Sequence, residues 1–564
     1  MTPKYNGFVK TLGLIGILIL GLALRIIWLD KYPPGFTPDE AAFGYNAYSL
    51  IQTGKDEWGT AWYSLPFTNL KSFGDYKLPL YAFLTIPSIK YFGLNEFSVR
   101  LPNAIIGTLA VLAIYLLTKE LFTSLYSPPP NLGWGRGVVL DAPMIAALLF
   151  AISPWSIQLS RGAFEANLVT LFLPLGLYLF LSGSAFWSAV VLGLNFYSYH
   201  SARLLALPVI LILLFFRPAK IRLSVFLVTL VLVMVPGIWS MFSGNSSRVT
   251  DVSILSPTDD WQAVSDRRFI ARISGLPDSL ARVFSNKLNF TFSVFVHNYL
   301  SYFSPQFLFT QGPAEGTYGM LPGRGVLYLI ELPLLISFLV LFIKKPRKEL
   351  LLLLLLFTLT PIPAALAKGP GYAANRAAVM IPFLLIASAI GLAYVINSLI
   401  KWIAPRLLLL FTITIYLLSL LFFLESYIYH SGSQIGPAML YGRREAFTRV
   451  ANLSAEFPEV RISRSLSEPH IYLAFYTSLL PSVYQISAQN WPDLKSLGLK
   501  FLDQYDGYTL GKYRFGDLHL SDPVTVPTLF IGSPSDFPSH YSEYFHIDSP
   551  DGRSVIKVAR KDPI

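Results

Sequence analysis

Two neighbouring carboxylates, Asp39 and Glu40, follow the first apolar run of the chain. The residues before them, Thr37 and Pro38, predict a helix start, because threonine caps helix N-termini and proline fits the first turn. The positive end of the helix dipole would keep Asp39 ionised and oriented. Asp39 is therefore a candidate general base, and Glu40 could orient an acceptor or support Asp39. The same pair also fits an ordinary first helical turn without function.

A lysine further along the same segment offers a second kind of chemistry. Lys77, with Asp75 close before it, begins an apolar and aromatic stretch over residues 78–91. At about 14 residues this stretch is too short to cross a bilayer, so we predict that it lies at the membrane interface. A lysine at that depth reaches lipid phosphates. Lys77 and Asp75 are candidate substrate-binding residues, although a snorkelling lysine needs no substrate.

Other charged and polar side chains stand at the ends of apolar runs and could face the same cavity. They are Arg100, Arg161, His200, Arg203 and Arg376. Each also fits an interfacial anchor, since such residues are enriched there without function. The chain has no cysteine, so thiolate chemistry is excluded. Asp39, Glu40, Asp75 and His200 could converge on a divalent metal, but their spacing matches no ligand pattern, and we predict no metal and no cofactor.

The elements that must position these residues are membrane helices. Of 564 residues, 53% are hydrophobic and only 14% are charged, which predicts an integral membrane protein. The net charge of +11 lies in short clusters between apolar runs. Since no basic face with interleaved aromatic residues results, we predict no nucleic-acid partner.

Eleven apolar runs are long enough to cross about 30 Å of hydrocarbon. They lie near residues 11–29, 98–118, 138–153, 165–182, 184–199, 203–216, 222–242, 326–343, 349–367, 377–399 and 404–424. We read the first as an uncleaved span, because no small-residue cleavage site follows it. The fourth and fifth runs could form one broken helix, but eleven spans with a cytoplasmic N-terminus keep the basic clusters inside, as the positive-inside rule prefers. These clusters comprise Lys119, Arg136, Arg217, Lys220, Arg222, Lys344, Lys345, Arg347, Lys348, Lys401 and Arg406.

This topology divides the chain into a transmembrane domain, residues 1–424, and an extracytoplasmic domain, residues 425–564. The loops 30–97 and 243–325 then also lie outside. In the tail, β-rich runs at residues 460–462, 482–486, 528–532 and 554–558 alternate with helical stretches, which predicts a small α/β domain. Trp491, Tyr505 and Tyr508 could stack on a glycan, or the tail could be a structural cap.

The order of these motifs resembles the GT-C glycosyltransferases. It runs from a first span through Pro-Asp-Glu-x₄-Tyr at residues 38–45, Lys-x-Pro-Leu-Tyr at residues 77–81 and Arg-Leu-Pro at residues 100–102. The closest group looks like glycosyltransferase family 39, the protein mannosyltransferase and aminoarabinose transferase branch. The resemblance continues more weakly through the membrane part, but residues 243–325 do not resemble the MIR domains of eukaryotic members, and Tyr372 stands where related bacterial chains carry histidine.

The resemblance implies a mainly α, polytopic fold and a sugar donor linked to polyprenyl phosphate. In that family, positions matching Asp39 and Lys77 hold a catalytic aspartate and a phosphate-binding lysine. We expect inverting transfer outside the cytoplasm, with Arg161, Arg203 or Arg376 assisting the phosphate. The acceptor, whether protein, lipid or glycan, stays open.

Three alternatives remain open at this point. A transporter or flippase of lipid-linked sugars would line its path with intramembrane charges such as Arg25 and Glu331. An oligosaccharide transferase would move a preassembled glycan from a lipid pyrophosphate. A membrane-anchored binding module would need far fewer spans than eleven.

Overall fold

A computed structural model describes residues 3–125, 141–242, 253–254 and 261–563, apart from the single positions 315, 370, 401, 495 and 540. Arg136, Lys401 and most of residues 243–260, which entered the predicted topology, lie outside the described residues.

The membrane part consists almost entirely of helices. Its α-helices are Pro3–Ile26, Pro38–Thr53, Leu65–Thr68, Leu80–Phe92, Glu96–Leu125, Ala142–Ile152, Pro154–Arg161, Leu168–Leu181, Ala185–Asn195, His200–Phe215, Leu223–Phe242, Gln262–Ile273, Asp278–Phe284, Lys287–Ser301, Glu331–Lys344, Lys348–Leu359, Ile362–Ala365, Ile381–Leu399 and Pro405–Tyr429. A π-helix covers Gln306–Thr310, and 3₁₀ turns cover Glu165–Asn167, Gly316–Tyr318 and Ala378–Met380.

Each of the eleven predicted runs overlaps at least one of these helices, but not all of the helices are long. Within the described residues, six helices are long and apolar enough to cross a membrane. A seventh results if Ala142–Ile152 and Pro154–Arg161, which are bent by 52°, form one broken span. The chain is thus a multi-pass membrane protein, whereas the number of eleven spans stays a prediction.

The fourth and fifth runs form two helices that fold back on each other. Leu168–Leu181 and Ala185–Asn195 are joined by a turn in which Gly183 has φ +89°. Ser188 Oγ donates a hydrogen bond to the Gly176 carbonyl across the pair, and Gly176 leaves space for Leu192. A single broken helix over this region is therefore wrong.

The first loop contains the predicted helix start. Pro38–Thr53 begins with a capping box in which Thr37 Oγ1 accepts from the Glu40 amide and the Glu40 carboxylate accepts from the Thr37 amide. Two short antiparallel strands follow, β1 (Leu70–Ser72) and β2 (Asp75–Lys77). The segment at residues 78–91, predicted to be interfacial and too short to span, forms the helix Leu80–Phe92.

The tail folds as a mixed α/β domain, as predicted. Its strands are β3 (Glu459–Ser463), β4 (Tyr508–Leu510), β5 (Tyr513–Gly516), β6 (Thr528–Gly532), β7 (Phe545–Asp548) and β8 (Ser554–Lys561). They form one sheet in the order β4-β5-β3-β6-β8-β7, in which β3 runs parallel to both β5 and β6. The helices are Ser431–Gln434, Arg443–Leu453, Pro469–Tyr476 and Pro481–Gln489, with 3₁₀ turns at Arg464–Leu466, Leu502–Gln504 and Pro534–Asp536.

One predicted strand is wrong. Residues 482–486 lie in the helix Pro481–Gln489, whose buried positions are Pro481, Tyr484 and Ala488. These positions have helical spacing, and proline at the first position favours a helix start. The prediction gave more weight to the β-branched residues of this run than to the helical spacing of its apolar residues.

The C-terminal domain packs on the first loop. Tyr472 Oη donates to the Phe36 carbonyl at 2.6 Å, and Tyr45 Oη donates to the Leu479 carbonyl at 2.9 Å. A side chain at Gly44 would collide with the Phe475 ring. The two parts therefore share one hydrophobic core.

Candidate active site

A cleft of about 660 Å³ lies where the first loop meets the C-terminal domain. The first loop supplies Thr37, Pro38, Asp39, Phe73, Gly74 and Asp75. The C-terminal part supplies Ala438, Leu440, Ser467, Glu468, Leu499, Lys500, Phe501 and Asp503, and Thr317 and Tyr318 complete the lining. Four carboxylates thus line the cleft, and the lysine beside them is Lys500.

Asp39 lies at the cleft and is fixed by a neighbouring cation. The capping box orients the first turn of its helix, and its Oδ1 accepts from Lys77 Nζ at 2.5 Å. Its side chain is 29% exposed, so it is anchored on one side and accessible on the other. A fixed, accessible carboxylate is suited to accept a proton from a bound hydroxyl.

Lys77 is placed between two carboxylates. Its side chain is only 2% exposed, with Nζ 3.7 Å from Asp75 Oδ2 and over the Phe73 ring at 4.2 Å. Strand β2 brings Asp75 and Lys77 to the same side, since they are two residues apart. The structure therefore brings together three of the residues singled out in the sequence, Asp39, Asp75 and Lys77.

The turn between β1 and β2 determines where this strand lies. Phe73 and Gly74 both have positive φ, +37° and +98°, as in the primed turns that join two-residue hairpins. Leu502 N donates to the Phe73 carbonyl at 3.2 Å. An added Cβ at Gly74 would stand 2.3 Å from the Lys500 carbonyl oxygen. The hairpin is thus docked directly on the C-terminal domain.

Glu40 does not line the cleft. It is fully buried, and its Oε1 accepts from Arg100 Nε at 2.9 Å and from the Ala163 amide at 2.9 Å. Arg100 in turn donates to the carbonyls of Leu29, Pro33 and Gly35. Glu40 therefore fixes the entry to the Asp39 helix from behind, through contacts within the protein.

The predicted arginines are also engaged with the backbone. Arg161 donates to the carbonyls of Leu24, Ile27, Trp28 and Tyr32, and so closes the C-terminal end of the first helix. Arg203 donates to the Phe196 carbonyl and Ser240 Oγ, and Arg376 donates to the Lys368 carbonyl. His200 begins its helix with its ring 6.4 Å from that of Tyr199. None of these four residues belongs to the lining of the cleft.

Sequence reasoning missed Glu468 and Asp503. Glu468 is 5% exposed, and its amide donates to Asp503 Oδ2 at 3.3 Å. Burial raises the pKa of Glu468 well above its ordinary value, and the neighbouring Asp503 adds to the rise. Burial likewise raises the pKa of Asp503. The signal available in the sequence, Ser-Glu-Pro at residues 467–469, indicates only a helix start.

The aromatic residues proposed for sugar stacking are mostly internal. The Trp491 and Tyr508 rings pack together at 5.7 Å and both contact the His470 ring. Both residues are buried. They stabilise the domain core, so of the two alternatives for the tail the burial of Trp491 and Tyr508 favours the structural cap over glycan stacking.

The candidate metal ligands do not gather. Within the part of the chain that the structure describes, Asp39, Glu40, Asp75 and His200 form no group with ligand atoms close enough for one ion. The residues that do are Asp506, Asp517 and His519, all exposed, and Asp517 is held by Arg464 through two hydrogen bonds. The carboxylates of Asp39 and Asp75 are instead paired with Lys77.

Arg25, which would line a transport path, is a structural residue. Its Nη1 donates to the carbonyls of Gly21 and Ala151, and its Nη2 donates to Phe150 and Ser156. These bonds join the first helix to the bent helix pair. Both terminal nitrogens of Arg25 are therefore engaged within the protein.

The membrane helices, the acidic first-loop helix and the C-terminal domain closing on it define a GT-C fold. The apo structure of ArnT, the aminoarabinose transferase, from Cupriavidus metallidurans matches at a TM-score of 0.51 and 14% identity, covering 98% of each chain. The same enzyme bound to undecaprenyl phosphate matches at 0.51 and 12% identity, covering 96% of this chain and 97% of that chain. An apo oligosaccharyltransferase from Archaeoglobus fulgidus matches at a TM-score of 0.42 and 16% identity, covering 82% of this chain and 63% of that one. No family model and no curated protein matches the sequence.

Proposed function

We propose that this chain is a membrane glycosyltransferase that moves a sugar from a polyprenyl-phosphate donor to an acceptor on the extracytoplasmic side. The observation that carries the proposal is the Asp39–Lys77 pair, in which a buried cation directly behind the cleft lining fixes a carboxylate that lines the cleft. The GT-C fold supports the reaction class, and ArnT with undecaprenyl phosphate supports a lipid-linked donor.

The reaction is a single inverting displacement. Asp39 accepts the proton of the acceptor hydroxyl or amine while that atom forms a bond to the anomeric carbon. The bond from the anomeric carbon to the phosphate oxygen breaks, and the polyprenyl phosphate leaves with the electron pair. Lys77 stabilises the charge that develops on the phosphate.

Lys77 has two roles in this scheme. In the free protein it neutralises and orients Asp39, with Asp75 as a further contact. When the donor phosphate binds, it also pairs with the Lys77 ammonium group. The ion pair between Lys77 and Asp39 then weakens, and Asp39 becomes a stronger base. Glu40 acts through Arg100 as a positioning residue.

The orientation follows from charge. With a cytoplasmic N-terminus, the basic clusters around residues 217–222 and 344–348 face the cytoplasm. The first loop, the cleft and the C-terminal domain then face outward, where lipid-linked donors replace nucleotide sugars.

The test is transfer of radiolabelled sugar from a panel of polyprenyl-phosphate sugars to membrane extract by the purified protein. Asp39→Asn should lower turnover at least a hundredfold, because the amide cannot accept the proton. Lys77→Ala should lower it by a similar factor. Asp30→Asn and Lys90→Ala, in the first loop but outside the cleft lining, are the matched controls.

Full turnover of Asp39→Asn, with folding intact by its thermal unfolding curve, would remove Asp39 as the base. Turnover by the control variants should stay within twofold of the wild type. A wild type that transfers nothing but carries lipid-linked sugar across vesicle membranes would support the transporter alternative.

A further inference from the structure

The C-terminal domain brings a buried carboxyl group, that of Glu468, to the cleft. Hydrogen bonds within the protein leave an oxygen of this group without a partner among the described residues. Glu468 is 5% exposed and lines the cleft. Its Oε2 has no hydrogen-bond partner among the described residues. The His470 Nδ1 is 3.7 Å away, and burial lowers the pKa of His470 to about 3, which leaves that ring neutral. Oε2 is enclosed by the protein, so only the part of the carboxyl group that lines the cleft is within reach of a ligand. Burying a carboxyl group without hydrogen bonds is costly, and a ligand that donates to it from the cleft would offset part of that cost.

The backbone holds Glu468 in an unusual conformation. Ser467 has φ +51° and Glu468 has φ +47°, both in the region that favours glycine. The chain turns here into the helix Pro469–Tyr476, and the Glu468 amide is tied to Asp503. This turn presents the carboxyl group at the wall opposite the first loop.

The charge of that wall limits what it can bind. The C-terminal part contributes Glu468, Asp503 and Lys500, and the first loop adds Asp39 and Asp75. A phosphorylated or carboxylated group at this wall would meet mainly carboxyl groups, which repel it when ionised. Phe501 and Tyr318 add aromatic surface. Hydroxyl groups suit such a wall, because a carboxylate accepts from them and a carboxylic acid also donates to them.

We propose that Glu468 and Asp503 form the acceptor subsite, which binds the hydroxyl groups of a neutral saccharide and disfavours a phosphorylated acceptor. The proposal rests on the proposed glycosyltransferase function. The donor stays anchored in the bilayer by its polyprenyl chain, and its phosphate meets Lys77 in the first loop. The acceptor arrives from the aqueous side and binds the C-terminal wall of the cleft. Glu468 and Asp503 are thus specificity-determining residues.

Binding can be measured without turnover. Saturation-transfer NMR on the full-length protein in nanodiscs, titrated with methyl glucoside and with glucose 6-phosphate, gives a Kd for each. The wild type should prefer methyl glucoside. Glu468→Ala should weaken its binding roughly tenfold, as expected for the loss of one hydrogen bond in a buried site. Glu468→Gln, which can still accept and donate, should restore most of it.

A second variant tests the charge argument. Asp503→Asn keeps an acceptor for the Glu468 amide and removes one charge, so binding of glucose 6-phosphate should strengthen relative to methyl glucoside. Glu456→Gln, an exposed carboxylate of the same domain, should change neither Kd. If Glu468→Ala does not fold, the Kd values of the two probes for the wild type and for Asp503→Asn test the acceptor subsite without it.

The outcomes separate this proposal from the proposed function. Asp39→Asn should lose transfer but keep saccharide binding. A wild type that binds both probes equally, or Glu468→Ala with unchanged affinity, would overturn the acceptor subsite while leaving the transferase function intact. Saccharide binding without any transfer would overturn the function and leave the subsite.

Discussion

Charged residues of this protein divide into those that face the cleft and those used inside the fold. Asp39 and Glu40 are adjacent in sequence, yet Asp39 lines the cleft and Glu40 is buried against Arg100. One step along a helix rotates a side chain by about 100°, which is enough to separate the two environments. A reading of residue types alone cannot distinguish such neighbours.

Glu57 provides a residue-scale test through pH. It is fully buried, its Oε1 accepts from Ser72 Oγ at 2.6 Å, and burial raises its pKa to about 8. The folded protein therefore binds a proton here that the unfolded chain releases above about pH 4.5. The contribution of Glu57 to stability is therefore full below about pH 4.5 and is lost as pH rises towards 8.

Thermal unfolding in detergent from pH 5 to pH 9 measures this effect. The wild-type midpoint should fall by several degrees, and Glu57→Gln should flatten the profile, because the amide mimics the protonated acid. Asp56, whose pKa burial raises to about 6, leaves a smaller slope below pH 6. Glu456→Gln should retain the wild-type profile. Identical slopes in the wild type and Glu57→Gln would contradict the assignment.

At the scale of elements, local signals and docking contacts act together. The capping box of Pro38–Thr53 is encoded within four residues, and the structure forms it. The β1–β2 hairpin, by contrast, is positioned by the loop at Lys500–Leu502 of the C-terminal domain. The hairpin carries Asp75 and Lys77, so its docking decides the geometry of the cleft.

Gly74→Ala tests that docking. Alanine at φ +98° is strained, and its Cβ would stand 2.3 Å from the Lys500 carbonyl oxygen. The turn must then move, and transfer should fall at least tenfold with a lower unfolding midpoint. Gly59→Ala is the matched control, since Gly59 has φ +89° with nothing within 4 Å of its Cβ. It should cost only about 1 kcal/mol and keep activity. Equal effects of the two substitutions would mean that strain, not docking, matters at Gly74.

At the scale of the whole molecule, the C-terminal domain forms part of the candidate cleft. It supplies one wall, and it is held to the membrane part by Arg444, which donates to Glu96 at 2.5 and 2.9 Å. Tyr476 Oη donates to the same carboxylate at 2.5 Å. The helix Pro405–Tyr429 continues past residue 424, so the membrane part runs into the tail without a break.

Arg444→Ala should loosen this attachment. Glu96 is buried and would lose a charged partner, with a cost of about 2 kcal/mol. Hydrogen exchange should then increase in the first loop and around residues 467–503. Arg449→Ala, which breaks an exposed pair with Glu445 on the same helix, should cost less than about 0.5 kcal/mol. Unchanged exchange in Arg444→Ala would show that apolar packing alone holds the domain.

The sequence by itself determined the membrane class, most of the membrane helices, three of the six strands of the tail and the candidate pair Asp39 and Lys77. Apolar runs, caps and residue types are local properties, and the free energy of each helix start or apolar segment depends mainly on nearby residues. The resemblance to GT-C enzymes added the fold, which the structural comparison confirmed.

Only the tertiary structure decided which polar residues meet. It joined Lys77 to Asp39, brought Glu468 and Asp503 to the same cleft, and engaged Arg161 and Glu40 in contacts within the protein. Such pairings depend on the packing of segments distant in the chain, because a buried charge takes whichever partner the folded core places beside it. No local pattern encodes that choice.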